Sequence, residues 1–138
     1  MTTNKALFVF DTSVLVSAII LPLSVPQKAL SKALHTGKIV HSLATLDELK
    51  QVLERRKFDK YISREERIRV FTSLLREALL VEVTVKINAC RDPKDNKFLE
   101  LGVSAKAQAI VSGDSDLLDL HPFQNVESVT PGAFLAED

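Results

Sequence analysis

Short apolar runs alternate with longer amphipathic stretches along the 138-residue chain. The run at 6–10 contains no alternating polar residues, which is typical of a strand buried on both faces of a parallel sheet. A second short run at 109–111 is also rich in β-forming residues. Apolar and polar residues alternate at 81–87, which predicts another strand. We expect two further strands at 38–41 and 126–129.

Between these runs, apolar residues recur every three or four positions, as they do on one face of a helix. The predicted helices are 12–20, 28–35, 43–55, 63–79 and 92–105, followed by a helical turn at 131–135. The alternation of strands and helices predicts a three-layer α/β/α fold with a mostly parallel central sheet. The chain length and the 46% hydrophobic content fit a single domain over residues 1–138.

Local signals place several helix ends. The segments 45–48 and 63–66 both match a capping box, in which the first and fourth residues satisfy free backbone groups. Asp92 before Pro93 predicts a capped helix start, because proline has no N–H to lose at the first helical position. The stretch 22–26 has a proline at each end, which predicts a loop after the first helix.

Composition narrows the class of protein. The formal net charge is zero, which argues against a protein that coats nucleic acid through a large positive field, although it leaves room for a local contact. A single cysteine, Cys90, cannot form an internal disulfide. The apolar run at the N-terminus is too short for a signal peptide or a membrane span. We therefore expect a cytoplasmic protein that does not enter a membrane.

Aspartates cluster between Cys90 and Leu118, around one predicted helix and the strand at 109–111. They are Asp92, Asp95, Asp114 and Asp116. Asp11 directly follows the strand at 6–10, and sites form at the carboxyl edge of parallel sheets. Carboxylates gathered there repel one another unless some are protonated or a cation lies between them, and oxygen ligands favour Mg²⁺ or Mn²⁺. The sequence therefore predicts a carboxylate metal site.

Each acid also has a purely structural interpretation. Asp11 would cap the following helix, Glu48 and Asp95 would be capping partners, and Asp114 and Asp116 would be turn residues. Capping does not require these side chains to converge. Metal-assisted cleavage of a phosphodiester does require it, which favours the functional interpretation of the group as a whole.

Four stretches resemble one known family. They are VFDTSVLVSAI, the helix with Glu48 followed by ERRKF, CRDPKDNKFLELG, and IVSGDSDLL, and the similarity continues into VTPGAFL. In order and spacing the chain resembles the PIN domain, in the prokaryotic branch described as toxin components of toxin-antitoxin systems. The resemblance implies a ribonuclease dependent on Mg²⁺ or Mn²⁺, with RNA as substrate, an antitoxin protein as partner and a homodimeric assembly.

The resemblance also implies roles for individual residues. The catalytic residues would be Asp11, Glu48, Asp95 and Asp114. The main metal ligands would be Asp11, Asp95 and Asp114, with Asp116 as a further contributor. Glu48 would hold or deprotonate the attacking water. Asp92 is interpreted as the helix cap rather than a ligand.

Substrate contacts are predicted from cations and hydroxyls near the acids. Lys94 and Lys97 are the favoured phosphate-binding residues, whereas the basic segment 55–57 is explained equally well by a helix C-terminus. Ser13 stands where the family usually has asparagine and is also assigned to substrate binding. One hydroxyl then replaces an amide that both donates and accepts.

Other interpretations remain open at this point. A nuclease of the same fold would instead cut structured DNA or RNA, as the related flap endonucleases do. A phosphoaspartate enzyme with Asp11 as nucleophile is weaker, because Ser13 occupies the position of its second acid. A third alternative is a non-catalytic module that binds a partner. The apolar stripe at 68–79 is expected to face the core of the chain, and the three histidines are expected to be structural or exposed.

Overall fold

A computed structural model describes residues 6–137 and shows a five-stranded, all-parallel sheet. The strands are β1 (Ala6–Phe10), β2 (Gly37–His41), β3 (Leu79–Leu80), β4 (Ala109–Val111) and β5 (Glu127–Val129), in the order β3-β2-β1-β4-β5. The helices are α1 (Thr12–Ile20), α2 (Val25–Thr36), α3 (Leu43–Leu53), α4 (Arg64–Glu77), α5 (Asn96–Ala105), α6 (Ser115–Leu118) and α7 (Pro131–Ala136). The predicted three-layer α/β/α fold is confirmed.

The central strand β1 is buried on both faces, as its unbroken apolar run predicts. Phe8 and Phe10 point to one face, where both rings pack edge-on against Phe134 of α7. Val9 points to the opposite face and packs in a second cluster with Phe98 of α5. Both clusters hold helices against the sheet, so the ends of β1 and its neighbours are fixed relative to one another.

The predicted strand at 81–87 is wrong. β3 ends at Leu80, just before this segment, because its neighbour β2 ends at His41 and offers no further backbone for strand pairing. The segment instead runs beside α5 and bonds to its side chains. Ser104 Oγ accepts from the Thr84 backbone N–H at 3.0 Å, and Glu100 Oε2 accepts from that of Ile87 at 3.0 Å.

The predicted cap at Thr45 is also wrong, and the correction matters for the site. α3 begins at Leu43, as predicted, but its cap is Ser42, three residues before Thr45; the Ser42 Oγ accepts from the Thr45 N–H at 3.1 Å. Thr45 Oγ1 in turn accepts from the Ser42 N–H at 2.9 Å, which completes the capping box. Glu48 is therefore not needed as a capping partner, and its carboxylate is available elsewhere.

Other helix starts agree more closely with prediction. Ser63 caps α4 by accepting from the Glu66 N–H at 3.2 Å. α2 begins earlier than predicted, with Ser24 as its cap and Pro26 in its first turn, where a missing N–H costs nothing. The loop predicted over 22–26 is correspondingly shorter.

The segment after α3 is organised by a buried arginine. Arg67 of α4 is 1% exposed. Its Nε and Nη1 donate to the carbonyls of Leu53 and Ile62, each at 2.6 Å, and its Nη2 donates to Asp59 Oδ1 at 2.9 Å. Three fixed bonds from one guanidinium thus hold the end of α3 against the start of α4.

Only part of the apolar stripe at 68–79 faces the core. Phe71 and Leu74 pack against the core, as predicted. Ile68, Leu75 and Leu79 remain about two-fifths exposed, at 42%, 40% and 39%.

Within residues 6–137, no single helix is long and apolar enough to cross a membrane. The pair α1 and α2, bent by 104° relative to each other, would reach the required length and apolar composition only if taken together.

Candidate active site

The site forms where β1 and β4 end side by side. Phe10 of β1 pairs with Val111 of β4, and the Asp11 N–H donates to the Val111 carbonyl at 3.0 Å. The residues that follow the two strands, Asp11 and Ser112, therefore leave the sheet as neighbours. This parallel register brings together acids that lie about a hundred residues apart in the chain.

Asp11 both caps a helix and belongs to the site. Its Oδ1 accepts from the Val14 N–H at 2.8 Å, which caps α1, and its Oδ2 accepts from the Ser112 hydroxyl. The same hydroxyl oxygen accepts from the Asp114 N–H at 2.9 Å. Asp11 is only 4% exposed, and this burial raises its pKa, with the charge of Asp114 adding to the effect. The capping interpretation is therefore correct for Asp11, but it is not the whole role of the residue.

Three more carboxylates converge beside Asp11. Among residues 6–137, one carboxylate oxygen each from Asp95, Asp114 and Asp116 lies within 4.8 Å of the other two. Asp114 caps α6 by accepting from the Asp116 N–H at 2.9 Å, whereas Asp95 precedes α5 without making a side-chain cap bond. Asp92 caps the 3-10 turn at Pro93–Asp95 that precedes α5, since its Oδ1 accepts from the Lys94 N–H at 3.0 Å. The close group therefore consists of Asp95, Asp114 and Asp116, and Asp114 belongs to it while also capping α6.

The electrostatic cost of this cluster falls mainly on Asp95. Its pKa is raised to about 7, first by burial, then by its hydrogen bond with Asp114 and by the charges of Asp114, Asp92 and Asp116. A hard divalent cation among these oxygens would relieve the repulsion, and an all-oxygen donor set is the one that Mg²⁺ and Mn²⁺ prefer. The residues present therefore fit such an ion.

Glu48 lines the same cleft as three of the aspartates. It accepts from the Thr12 hydroxyl, and its other oxygen lies 2.9 Å from Lys97 Nζ. The cleft has a volume of about 660 Å³ and is lined by all four predicted catalytic acids, Asp11, Glu48, Asp95 and Asp114. Glu48 thus borders the same cleft but is not one of the three closely grouped carboxylates.

The predicted substrate-binding residues occupy different places. Ser13 is exposed and lines the cleft. Lys97 is half-buried and engaged with Glu48, so its contact in this structure is to an acid. Lys94 is exposed on the turn that precedes α5 and is not part of the cleft lining. Arg55, which the sequence did not distinguish from its basic neighbours, does line the cleft.

Sequence reasoning missed three residues that position the acids. Ser112 bridges Asp11 and the Asp114 backbone, and Thr12 holds Glu48. Arg91 places its Nε 2.9 Å from Asp116 Oδ1 and its Nη2 3.2 Å from Asp119 Oδ2. Ser112 alone had a usable signal, because it directly follows β4 as Asp11 directly follows β1.

The raised pKa of Asp95 predicts a pH-dependent stability in metal-free protein. Because the folded pKa of about 7 exceeds the ordinary 3.8, the carboxyl opposes folding increasingly as pH rises from about 4 to about 7. Asp95→Asn should therefore stabilise the protein more at about pH 8 than at about pH 5, by roughly 1–2 kcal/mol after solvent screening. Urea unfolding of wild type and variant in EDTA measures this difference.

Comparing wild type with Asp95→Asn at each pH removes the opposing effect of His41 on stability. Burial lowers the pKa of His41 from 6.5 to about 4, so its contribution destabilises the fold as pH falls through that range. His41 is unchanged in the variant, and its contribution cancels. A stability difference between wild type and Asp95→Asn that stays constant with pH would contradict the assigned electrostatics.

Comparison with known proteins identifies the family. A family model described as PIN domain matches residues 8–116, so the chain belongs to the PIN domain family, which is a nuclease fold. An uncharacterized protein of Methanocaldococcus jannaschii, MJ1680, is 34% identical over 119 residues, which cover 84% of this chain and 76% of that protein. The family predicted from the sequence is confirmed.

Two solved structures share the fold. The crystal structure of VapBC2 from Rickettsia felis, bound to a DNA fragment from their promoter, matches with a TM-score of 0.60 at 15% identity. The match covers 88% of this chain and 98% of that one. The crystal structure of PAE2754 from Pyrobaculum aerophilum matches with a TM-score of 0.61 at 14% identity, covering 95% and 87%. At such identities the likeness concerns the fold.

Proposed function

We propose that this protein is a divalent-metal-dependent ribonuclease. The observation that carries the proposal is the convergence of three carboxylate oxygens within 4.8 Å, beside the buried Asp11, in an open cleft. We assign Asp11, Asp95, Asp114 and Asp116 as residues that hold Mg²⁺ or Mn²⁺, and Glu48 as the base. Membership of a nuclease family supports this chemistry over a purely structural role for the acids.

The side chains around the cluster would prepare it for hydrolysis. When bound, the ion would lower the pKa of a water molecule and balance the charge that develops on the phosphate. Ser112 fixes the rotamer of Asp11 relative to Asp114. Asp95 would release its proton as the ion binds, since only the carboxylate is a good ligand. Thr12 and Lys97 hold Glu48 toward the cleft, where it would orient or deprotonate the attacking water.

The wider biological role is proposed from the resemblance. We propose that the protein is the toxin of a toxin-antitoxin pair, cytoplasmic and homodimeric, with an antitoxin protein as its partner. The fold likeness to VapBC2 supports this assignment. A phosphoaspartate mechanism is disfavoured, because Ser13 occupies the position of the second acid that it requires.

Cleavage of labelled oligonucleotides tests the proposal. Wild type should cut single-stranded RNA with Mg²⁺ or Mn²⁺ and lose this activity in EDTA. Faster cutting of flap or duplex substrates under the same conditions would instead favour the structure-specific nuclease. Absence of cleavage on every substrate, together with capture of a protein partner, would favour the non-catalytic module.

A further inference from the structure

Three apolar residues from separate helices also line the cleft and form what we call its apolar wall. They are Pro26 of α2, Val52 of α3 and Pro131 of α7. Arg55 also lines the cleft, two residues after α3 ends and seven residues after Glu48. Arg55 and Glu48 thus border the same cleft.

The guanidinium of Arg55 has no acidic partner within the described part of the chain. The side-chain cations that pair with a carboxylate there are Arg64, Arg67, Arg69, Arg91 and Lys97. The adjacent Glu54 pairs with Arg64 at 3.8 Å, and Lys57 lies 5.2 Å from the centre of the Phe58 ring. Arg55 alone of the basic segment 55–57 both lines the cleft and leaves its charge uncompensated.

Capping of α3 does not explain Arg55 well. The carbonyl of Leu53 already accepts from Arg67, and the carbonyls of Lys50 and Val52 accept from the Glu54 backbone N–H. Three of the carbonyls that a C-terminal cation would satisfy therefore have other donors. This removes much of the structural reason for a cation at position 55.

The shape and charge of the cleft match a single polynucleotide strand. Asp11 lies deep in the cleft at 4% exposure, so a phosphate must enter the cleft to reach it. An unpaired strand can enter and lay a base on an apolar wall, whereas the bases of a duplex are stacked inside it. Arg55, which lines the same cleft, presents the planar donor array that binds phosphate oxygens in pairs.

We infer that Arg55 is a substrate-binding residue that holds a backbone phosphate of single-stranded RNA next to the bond cleaved at the acids. An unpaired base would lie on the wall formed by Pro26, Val52 and Pro131. This inference rests on the proposed ribonuclease function and deepens it, because it names a residue that holds the backbone of the substrate.

The test compares Arg55→Ala with Arg56→Ala, a neighbouring arginine that is exposed and not part of the cleft lining. Binding of a fluorescent single-stranded RNA is measured in EDTA, so that no cleavage occurs, at several salt concentrations. Arg55→Ala should weaken binding about tenfold and lower the salt slope by roughly 0.7, as expected for one phosphate contact on a single strand. Arg56→Ala should change both quantities much less.

Steady-state cleavage with Mn²⁺ gives a second readout. Arg55→Ala should raise KM with little change in kcat, because the contact is to a neighbouring phosphate and not to the reacting one. Arg55→Lys should recover part of the loss, since it restores charge but not paired donation. Wild type should also prefer the single strand to a duplex of the same sequence.

The possible results separate this inference from the proposed function. If wild type cleaves RNA but Arg55→Ala and Arg56→Ala behave alike, the assignment of Arg55 is wrong. If the duplex is bound and cut as well as the single strand, the inferred strand geometry is wrong. If wild type neither binds nor cleaves RNA, the ribonuclease proposal fails, and the role of Arg55 fails with it.

Discussion

Asp11→Asn is expected to abolish metal-dependent RNA cleavage while leaving the protein folded. Asparagine keeps the oxygen that caps α1 at the Val14 N–H, so the helix start is preserved. It removes the negative charge that would bind the cation. In metal sites, loss of a residue that only hydrogen-bonds to a ligand typically lowers metal affinity or activity by roughly 10–100-fold. Loss of a direct ligand should lower kcat further, by at least about 100-fold.

The same substitution should not weaken the metal-free protein at neutral pH. Burial raises the pKa of Asp11, which means that its ionised form is disfavoured in the folded state, and asparagine removes that cost. Urea unfolding in EDTA measures the free energy of unfolding of both proteins. Asp47→Asn, an exposed acid on α3 one residue before Glu48, is the matched control and should retain cleavage. Full activity of Asp11→Asn would remove Asp11 from the site.

Arg67→Ala is expected to give the largest loss of stability, about 3–5 kcal/mol in the free energy of unfolding. The change deletes three hydrogen bonds at once and leaves the carbonyls of Leu53 and Ile62 without this donor next to a new cavity. Because Arg67 holds the end of α3, the loss should also loosen the helix that carries Glu48. Chemical denaturation with circular dichroism measures the effect.

Two control variants sharpen that experiment. Arg64→Ala removes an exposed arginine of the same helix, whose ion pair with Glu54 at 3.8 Å should contribute at most about 1 kcal/mol. Arg67→Met keeps much of the buried volume and should lose less than Arg67→Ala, which separates packing from hydrogen bonding. Equal stabilities of Arg67→Ala and Arg64→Ala would contradict the role given to the buried guanidinium.

The convergence of the acids was predictable because it depends on sheet geometry. An apolar run buried on both faces marks a central parallel strand, and Asp11 and Asp114 follow two such runs. Parallel strands end at a common edge, so these acids had to come close. The strand predicted at 81–87 failed because alternation of apolar and polar residues indicates an extended, half-exposed segment but does not identify its hydrogen-bond partners.

The contacts that tune the site depend on pairs far apart in sequence. The bond from Ser112 to Asp11 joins residues separated by 101 positions, and that from Thr12 to Glu48 joins residues separated by 36. No local pattern encodes such pairs. Arg67 was missed for a different reason: arginine is rarely fully buried, so a charged position in α4 is expected to face solvent.

Calorimetric titration of Mg²⁺ and Mn²⁺ into wild type and Asp95→Asn tests the central claim most directly. We expect wild type to bind an ion, to release a proton from Asp95 on binding, and to melt at a higher temperature with the ion present. Asp95→Asn should bind at least about 100-fold more weakly and show little thermal shift. Equal binding by both proteins, or no binding by either, would contradict the assignment of the acidic cluster as the metal site of a ribonuclease.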